Sequence, residues 1–177
     1  MKLIPNFLSF LRIFLVLPII YAFQSELYLS AAFLFFLSSI TDFMDGYLAR
    51  RFELESELGA FLDLIADKVL VISILIWLVF VISNQALTIL SILIILREIF
   101  ITSFRYYLVL INADVELIKA NRYGKLKTAF QFLSIFLLIL SPLFKDFYLN
   151  VSLILLFISV LISYFSLLIY FFNSMRK

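Results

Sequence analysis

The sequence predicts an all-α, polytopic integral membrane protein, with six transmembrane helices in one domain over residues 1–177 and both termini cytoplasmic. Three observations predict it. First, the 177 residues are 65% hydrophobic and only 15% charged, against about 45–50% and about 25% in soluble domains. A chain this short cannot hide that much apolar surface inside itself, so lipid must cover the rest. Second, charges punctuate the sequence at the interval of a bilayer crossing, which takes about 20 apolar residues. Third, thirteen of the fourteen Lys and Arg residues fall toward one side of that layout and only Lys145 toward the other. That asymmetry sets the orientation.

The spans follow in order. Residues 5–23 are apolar except for Asn6, Ser9 and Arg12. A signal peptide is the alternative reading, but no small-x-small cleavage pattern lies near Ala22. Glu26 and Asp42 enclose 15 uncharged residues, and the second helix continues to Arg50, giving 28–50. Lys68 to Arg97 encloses 28 uncharged residues. The polar turn Ser83-Asn84-Gln85 divides this region between helices 59–82 and 86–110. Lys127 to Lys145 encloses 17, giving 125–143 with Pro142 marking its end. Asp146 to Arg176 encloses 29, giving 147–173. The turn 51–58 and the polar loop 111–124 join helices on the cytoplasmic side. No soluble domain, repeat or low-complexity linker is visible, and a net charge of +2 gives no reason to expect nucleic-acid binding.

What is scarce narrows the chemistry. With no His and no Cys, acid–base or metal work must rest on Asp, Glu, Lys, Arg or Tyr. A charged residue inside a span is expensive and points to function, and Asp42, Asp45, Asp63 and Asp67 sit near the facing ends of two consecutive spans. At 100° per residue, Asp42, Asp45, Gly46 and Ala49 share one arc of roughly 100°. Gly59, Asp63 and Asp67 make a second stripe. Four converging carboxylates would repel unless some stayed protonated or cations bound. Two Mg²⁺ or Mn²⁺ ions suit such hard oxygen donors and form a clamp for phosphoryl chemistry. The alternatives are pairing of the acids with Arg50, Arg51 or Lys68, and glycines that serve only close helix packing. Glu53, Glu55 and Glu57 alternate in the short turn and read as solvated.

Read together, Asp42-x₂-Asp45-Gly46-x₂-Ala49-Arg50-x₈-Gly59-x₃-Asp63-x₃-Asp67 resembles the signature of the CDP-alcohol phosphotransferases, with all eight fixed positions matched. The resemblance implies a six-helix membrane enzyme, often a homodimer, with its site on the cytoplasmic face. It implies two divalent ions held by Asp42, Asp45, Asp63 and Asp67. It also implies a cytidine diphosphate pocket shaped by Asp42, Gly46, Ala49, Arg50 and Gly59, and Asp67 as the base. Ile4-Pro5-Asn6, Arg12-Ile13, Asp63 to Lys68, Arg97-Glu98-Ile99, Arg105 and Gly124-Lys125-x-Lys127-Thr128-x₂-Gln131 resemble the phosphatidylglycerophosphate synthases within that family. One departure is Leu64, where many relatives carry proline.

The resemblance implies transfer of the phosphatidyl group from CDP-diacylglycerol to glycerol 3-phosphate, with CMP released. An anionic acceptor needs cations, and Arg97, Arg105, Lys125, Lys127 and Arg12 are the candidates, with Arg favoured for bidentate phosphate contact. For Lys125 and Lys127 anchoring at the membrane surface is the alternative, for Arg12 pairing with an acid. Glu98 is expected to orient Arg97. Sibling reactions with phosphatidylglycerol, inositol phosphate or serine as acceptor remain open, as does a cation transporter, which the absence of repeats disfavours. A structural membrane subunit is the third class, and it gives no reason for two acid stripes.

Overall fold

The structure is a computed structural model that describes residues 3–52, 57–111 and 122–175. Those residues are entirely helical apart from short turns. They form α1 (Leu3–Gln24), α2 (Tyr28–Phe52), α3 (Glu57–Ile82), α4 (Gln85–Leu110) and α5 (Arg122–Met175). Within the turn expected over 51–58, residues 53–56 lie outside the description. So do residues 112–121 of the expected polar loop, whose end is helical instead, since α5 begins at Arg122.

The boundaries have local causes. At the end of α1, Glu26 takes a φ of 61°. Leu27 N–H donates to Ala22 at 2.9 Å and Glu26 N–H to Phe23 at 3.1 Å. This is a Schellman cap with Glu at the left-handed position that glycine usually occupies. Ser83, with φ 51°, ends α3. Asn84 then caps α4, its Oδ1 accepting from the Leu87 N–H at 3.0 Å. The expected Ser83-Asn84-Gln85 turn is therefore present.

Helical residues run from Arg122 to Met175 with Pro142 among them, yet the chain reverses. Ser134 Oγ donates to the Ser152 carbonyl at 2.7 Å, and Ser159 Oγ to the Lys127 carbonyl at 3.0 Å. On a straight helix those partners would stand roughly 27 and 48 Å apart. Both pairs are centred on Leu143, beside Pro142, so α5 is a hairpin whose antiparallel arms are Leu126–Phe144 and Asp146–Phe172. The arms correspond to the two spans expected at 125–143 and 147–173, and the reversal falls beside Pro142, where the sequence marks the end of the first.

Leu64–Ile82, Gln85–Leu108 and the two arms of α5 are long and apolar enough to cross a membrane, and Phe10–Gln24 and Tyr28–Thr41 are shorter apolar helices. The chain is a multi-pass membrane protein by this measure. Its exterior agrees: Phe14, Leu17, Tyr21, Phe80 and Phe147 are all about seven-tenths exposed, a surface suited to acyl chains. Inside, α1 packs on α2 and α3, and α5 packs on α2, α3 and α4. Ala22, Ala31 and Ala32 let α1 and α2 approach closely, around Ile19, Phe35, Leu70, Ile74, Leu78, Ile135, Leu138 and Leu156. Hydroxyls within the helices turn back on the preceding turn. Ser38 and Ser39 both donate to the Phe35 carbonyl, and Ser141 donates to Leu138, as apolar surroundings require.

Candidate functional site

The acid motif lies on two helices in the register its spacing predicts. Asp42, Asp45, Gly46, Ala49 and Arg50 all fall within the unbroken α2, and Gly59, Asp63 and Asp67 within α3. Since both segments are helical, steps of three and four residues keep each set on one stripe. Leu64 does not interrupt α3 and is exposed. Gly59 and Asp67 are half-buried. The side chains of Asp42, Asp45, Gly46, Ala49, Arg50, Asp63 and Lys125 lie outside those described. Among the described residues no three acids gather as a metal centre.

The cations are resolved in detail, and they meet at a carboxylate. Glu98, in the C-terminal half of α4, receives three of them from three helices. Lys68 of α3 donates to Glu98 Oε2 at 3.1 Å, Arg97 Nη1 of α4 to Oε1 at 2.9 Å, and Lys127 of α5 also to Oε1. Lys68 additionally reaches the Glu98 carbonyl at 3.3 Å and the Thr102 hydroxyl, which itself donates to the Glu98 carbonyl at 2.7 Å. Arg97 and Lys127 are both only 6% exposed. The cluster joins the first half of α3, the second half of α4 and the beginning of α5, so these segments lie in the same half of the bundle. Because Lys68 directly follows Asp67, the cation cluster adjoins the acid stripe on α3.

The structure thus brings together Arg97 and Lys127 from the acceptor set, and adds Lys68 and Glu98. Lys68, considered as a partner for the aspartates, is held by Glu98 and Thr102 instead. Glu98 does orient Arg97, as expected, but also two other cations. The signal for its wider role was present: a lone Glu inside an apolar span has to be compensated. Arg105 stands two turns beyond Arg97 and lies over the Tyr170 ring, its guanidinium carbon 5.6 Å from the centroid. Phe104 closes the same corner against Tyr170 and Phe171. Tyr170 had no part in the sequence reading, since nothing in an apolar terminal helix marks one tyrosine among its neighbours. Arg12 is buried in α1 at 1% exposure, on the helix that packs against α2 and α3.

Residues 2–166 match the family described as CDP-alcohol phosphatidyltransferase. The chain belongs to this family of transferases. The match spans both the acid motif and the Glu98 cluster. Relatives include the CDP-diacylglycerol–glycerol-3-phosphate 3-phosphatidyltransferase of Wigglesworthia glossinidia brevipalpis, 34% identical over 178 residues, covering 98% of this chain and 95% of the relative. Proteins of the same name from Rickettsia typhi and Haemophilus influenzae are 38% and 35% identical. They cover 79% and 75% of this chain and 78% and 72% of their own.

Proposed function

We propose that this membrane enzyme transfers the phosphatidyl group of CDP-diacylglycerol to glycerol 3-phosphate, giving phosphatidylglycerol phosphate and CMP. The names of its relatives supply the two substrates. The observation that carries the reading is the junction at Lys68: a buried group of cations suited to an acceptor phosphate abuts the helix stripe that ends in Asp67. Acceptor and donor sites must adjoin for one hydroxyl to reach one phosphorus.

In this reading the chain is a single domain of six spans with both termini in the cytoplasm. The half of the bundle that holds the first half of α3, the second half of α4 and the beginning of α5 faces the cytoplasm, where the positive-inside rule places its lysines and arginines. CDP-diacylglycerol enters laterally, its acyl chains remaining in lipid. Asp42, Gly46, Ala49, Arg50 and Gly59 hold the cytidine diphosphate. Arg97, Lys127 and Arg105 hold the acceptor phosphate, with Arg12 contributing from α1. Lys125, two residues from Lys127, adds its positive charge at the same helix start.

Asp67 takes the proton from the primary hydroxyl, and the hydroxyl oxygen attacks the phosphorus that bears diacylglycerol. CMP departs, its negative charge met by Arg50. Asp42, Asp45, Asp63 and Asp67 are an all-carboxylate set of hard donors, a fit for Mg²⁺ or Mn²⁺. Two such ions, when bound, supply Lewis-acid neutralisation of the pyrophosphate. The protein works as a homodimer in the bacterial cell membrane.

The test is CMP release by the purified protein in detergent, with CDP-diacylglycerol, Mg²⁺ and a panel of acceptors: glycerol 3-phosphate, phosphatidylglycerol, inositol phosphate and serine. Preference for glycerol 3-phosphate is expected. No release with that acceptor, or faster release with another, would overturn the assignment.

A further inference from the structure

We propose that Glu98 is the positioning residue of the acceptor site, a carboxylate template that sets the spacing of Arg97 and Lys127 before the phosphate arrives. This rests on the functional reading above, in which those two cations receive the acceptor phosphate.

The first argument is charge. A carboxylate in a span needs compensation, but one cation supplies it. Glu98 has three, Lys68, Arg97 and Lys127, in direct ion pairs. Among the described ion pairs of this cluster the cations outnumber the carboxylate by two, the sign an anionic phosphate requires.

The second argument is donor capacity. Arg97 carries five N–H donors. It gives Glu98 a bond from Nη1, and its buried Nε has no hydrogen-bond partner in the structure. The Lys127 ammonium has three donors and one described bond. A single oxygen, Oε1, accepts from both residues and so fixes their heads side by side. Their unused donors are thereby available to a tetrahedral oxyanion.

The third argument is the other carboxylate oxygen. Oε2 holds Lys68, which Thr102 and the Glu98 carbonyl also grip. The residue following Asp67 is thus tied into the acceptor cluster. Glu98 therefore orders both sides of the acceptor site. Preorganisation of this kind lowers the cost of binding, because mutually repelling cations are already assembled.

The experiment is steady-state kinetics on the purified full-length protein, varying glycerol 3-phosphate and CDP-diacylglycerol separately. Glu98→Gln keeps the size and loses the charge. Its KM for glycerol 3-phosphate should rise about tenfold, the scale expected for directly coupled residues. Its kcat and its KM for CDP-diacylglycerol should stay within about twofold. In a Lys127→Met background the same substitution should add less than about threefold, because much of its effect runs through that lysine and only the Arg97 part remains. Glu98→Asp keeps the charge but withdraws it by one methylene. It should show the same selective rise at smaller size, and it carries the test should the Gln variant not fold. An unchanged acceptor KM, equal rises in both KM values, or full additivity with Lys127→Met would overturn the proposal. A wild-type enzyme that does not use glycerol 3-phosphate would overturn the functional reading. A wild-type enzyme that does, with an unaltered Glu98→Gln, would overturn this inference alone.

Discussion

Lys127→Met separates the two lysines that begin the last helix. Met has nearly the length of the lysine stem, so packing around this buried position is retained. The hydrogen bond from Ser159 goes to the backbone carbonyl of residue 127 and survives. Glu98 keeps Arg97 and Lys68, so no carboxylate is orphaned. What is lost, in the proposed reading, is one charged donor to the acceptor phosphate. A hydrogen bond to a charged group is worth about 1.5–3 kcal/mol, and about 1.4 kcal/mol is tenfold. The expected loss in kcat/KM for glycerol 3-phosphate is therefore about 10- to 150-fold, with the KM for CDP-diacylglycerol nearly unchanged. The assay is CMP release at varied acceptor, with Lys125→Met alongside. Two positions separated by two residues lie about 200° apart on a helix, so Lys125→Met should stay within about threefold of wild type. A Lys127→Met enzyme of near-normal kcat/KM beside a crippled Lys125→Met would refute the assignment of the inward face.

Other outcomes follow from the same residues. Asp67→Asn should lower turnover by about 10²–10⁴-fold, the usual contribution of a general base, while calorimetry still detects CMP binding; CMP release at a near-normal rate would remove Asp67 from that role. Chelation by EDTA should stop turnover and Mg²⁺ or Mn²⁺ restore it, and Asp63→Asn should raise the metal concentration for half-maximal rate. Unimpaired activity after exhaustive chelation would exclude the two-ion site. Glu26→Gly relieves a left-handed residue that costs about 1 kcal/mol with a side chain, so the detergent-solubilised protein should melt slightly higher; a lower Tm would show that Glu26 contributes through its side chain.

Much of this protein was written in local sequence. The α2–α3 acid register was legible because helical steps of three and four keep residues on one stripe wherever the helices go. The turn at Asn84 was legible because a capping side chain acts within three residues. The reversal in the last helix was only partly so. Pro142 marks where the chain turns, but how the two arms pack depends on the residues that face each other across the turn. Here Ser134–Ser152 and Lys127–Ser159 pair across the hairpin and hold the two arms together.

The sequence by itself determined the solvent, the helices, the acid motif and the family, since each depends on composition or on spacing along one helix. Tertiary structure decided which charges meet. Lys68, Glu98 and Lys127 lie some thirty residues apart in successive steps, on helices whose rotation no local pattern specifies. Only packing could turn Lys68 toward Glu98 instead of the neighbouring aspartates and bury Lys127. In the low-dielectric interior a charge has to find a partner, and the assembled helix faces decide which one it can reach.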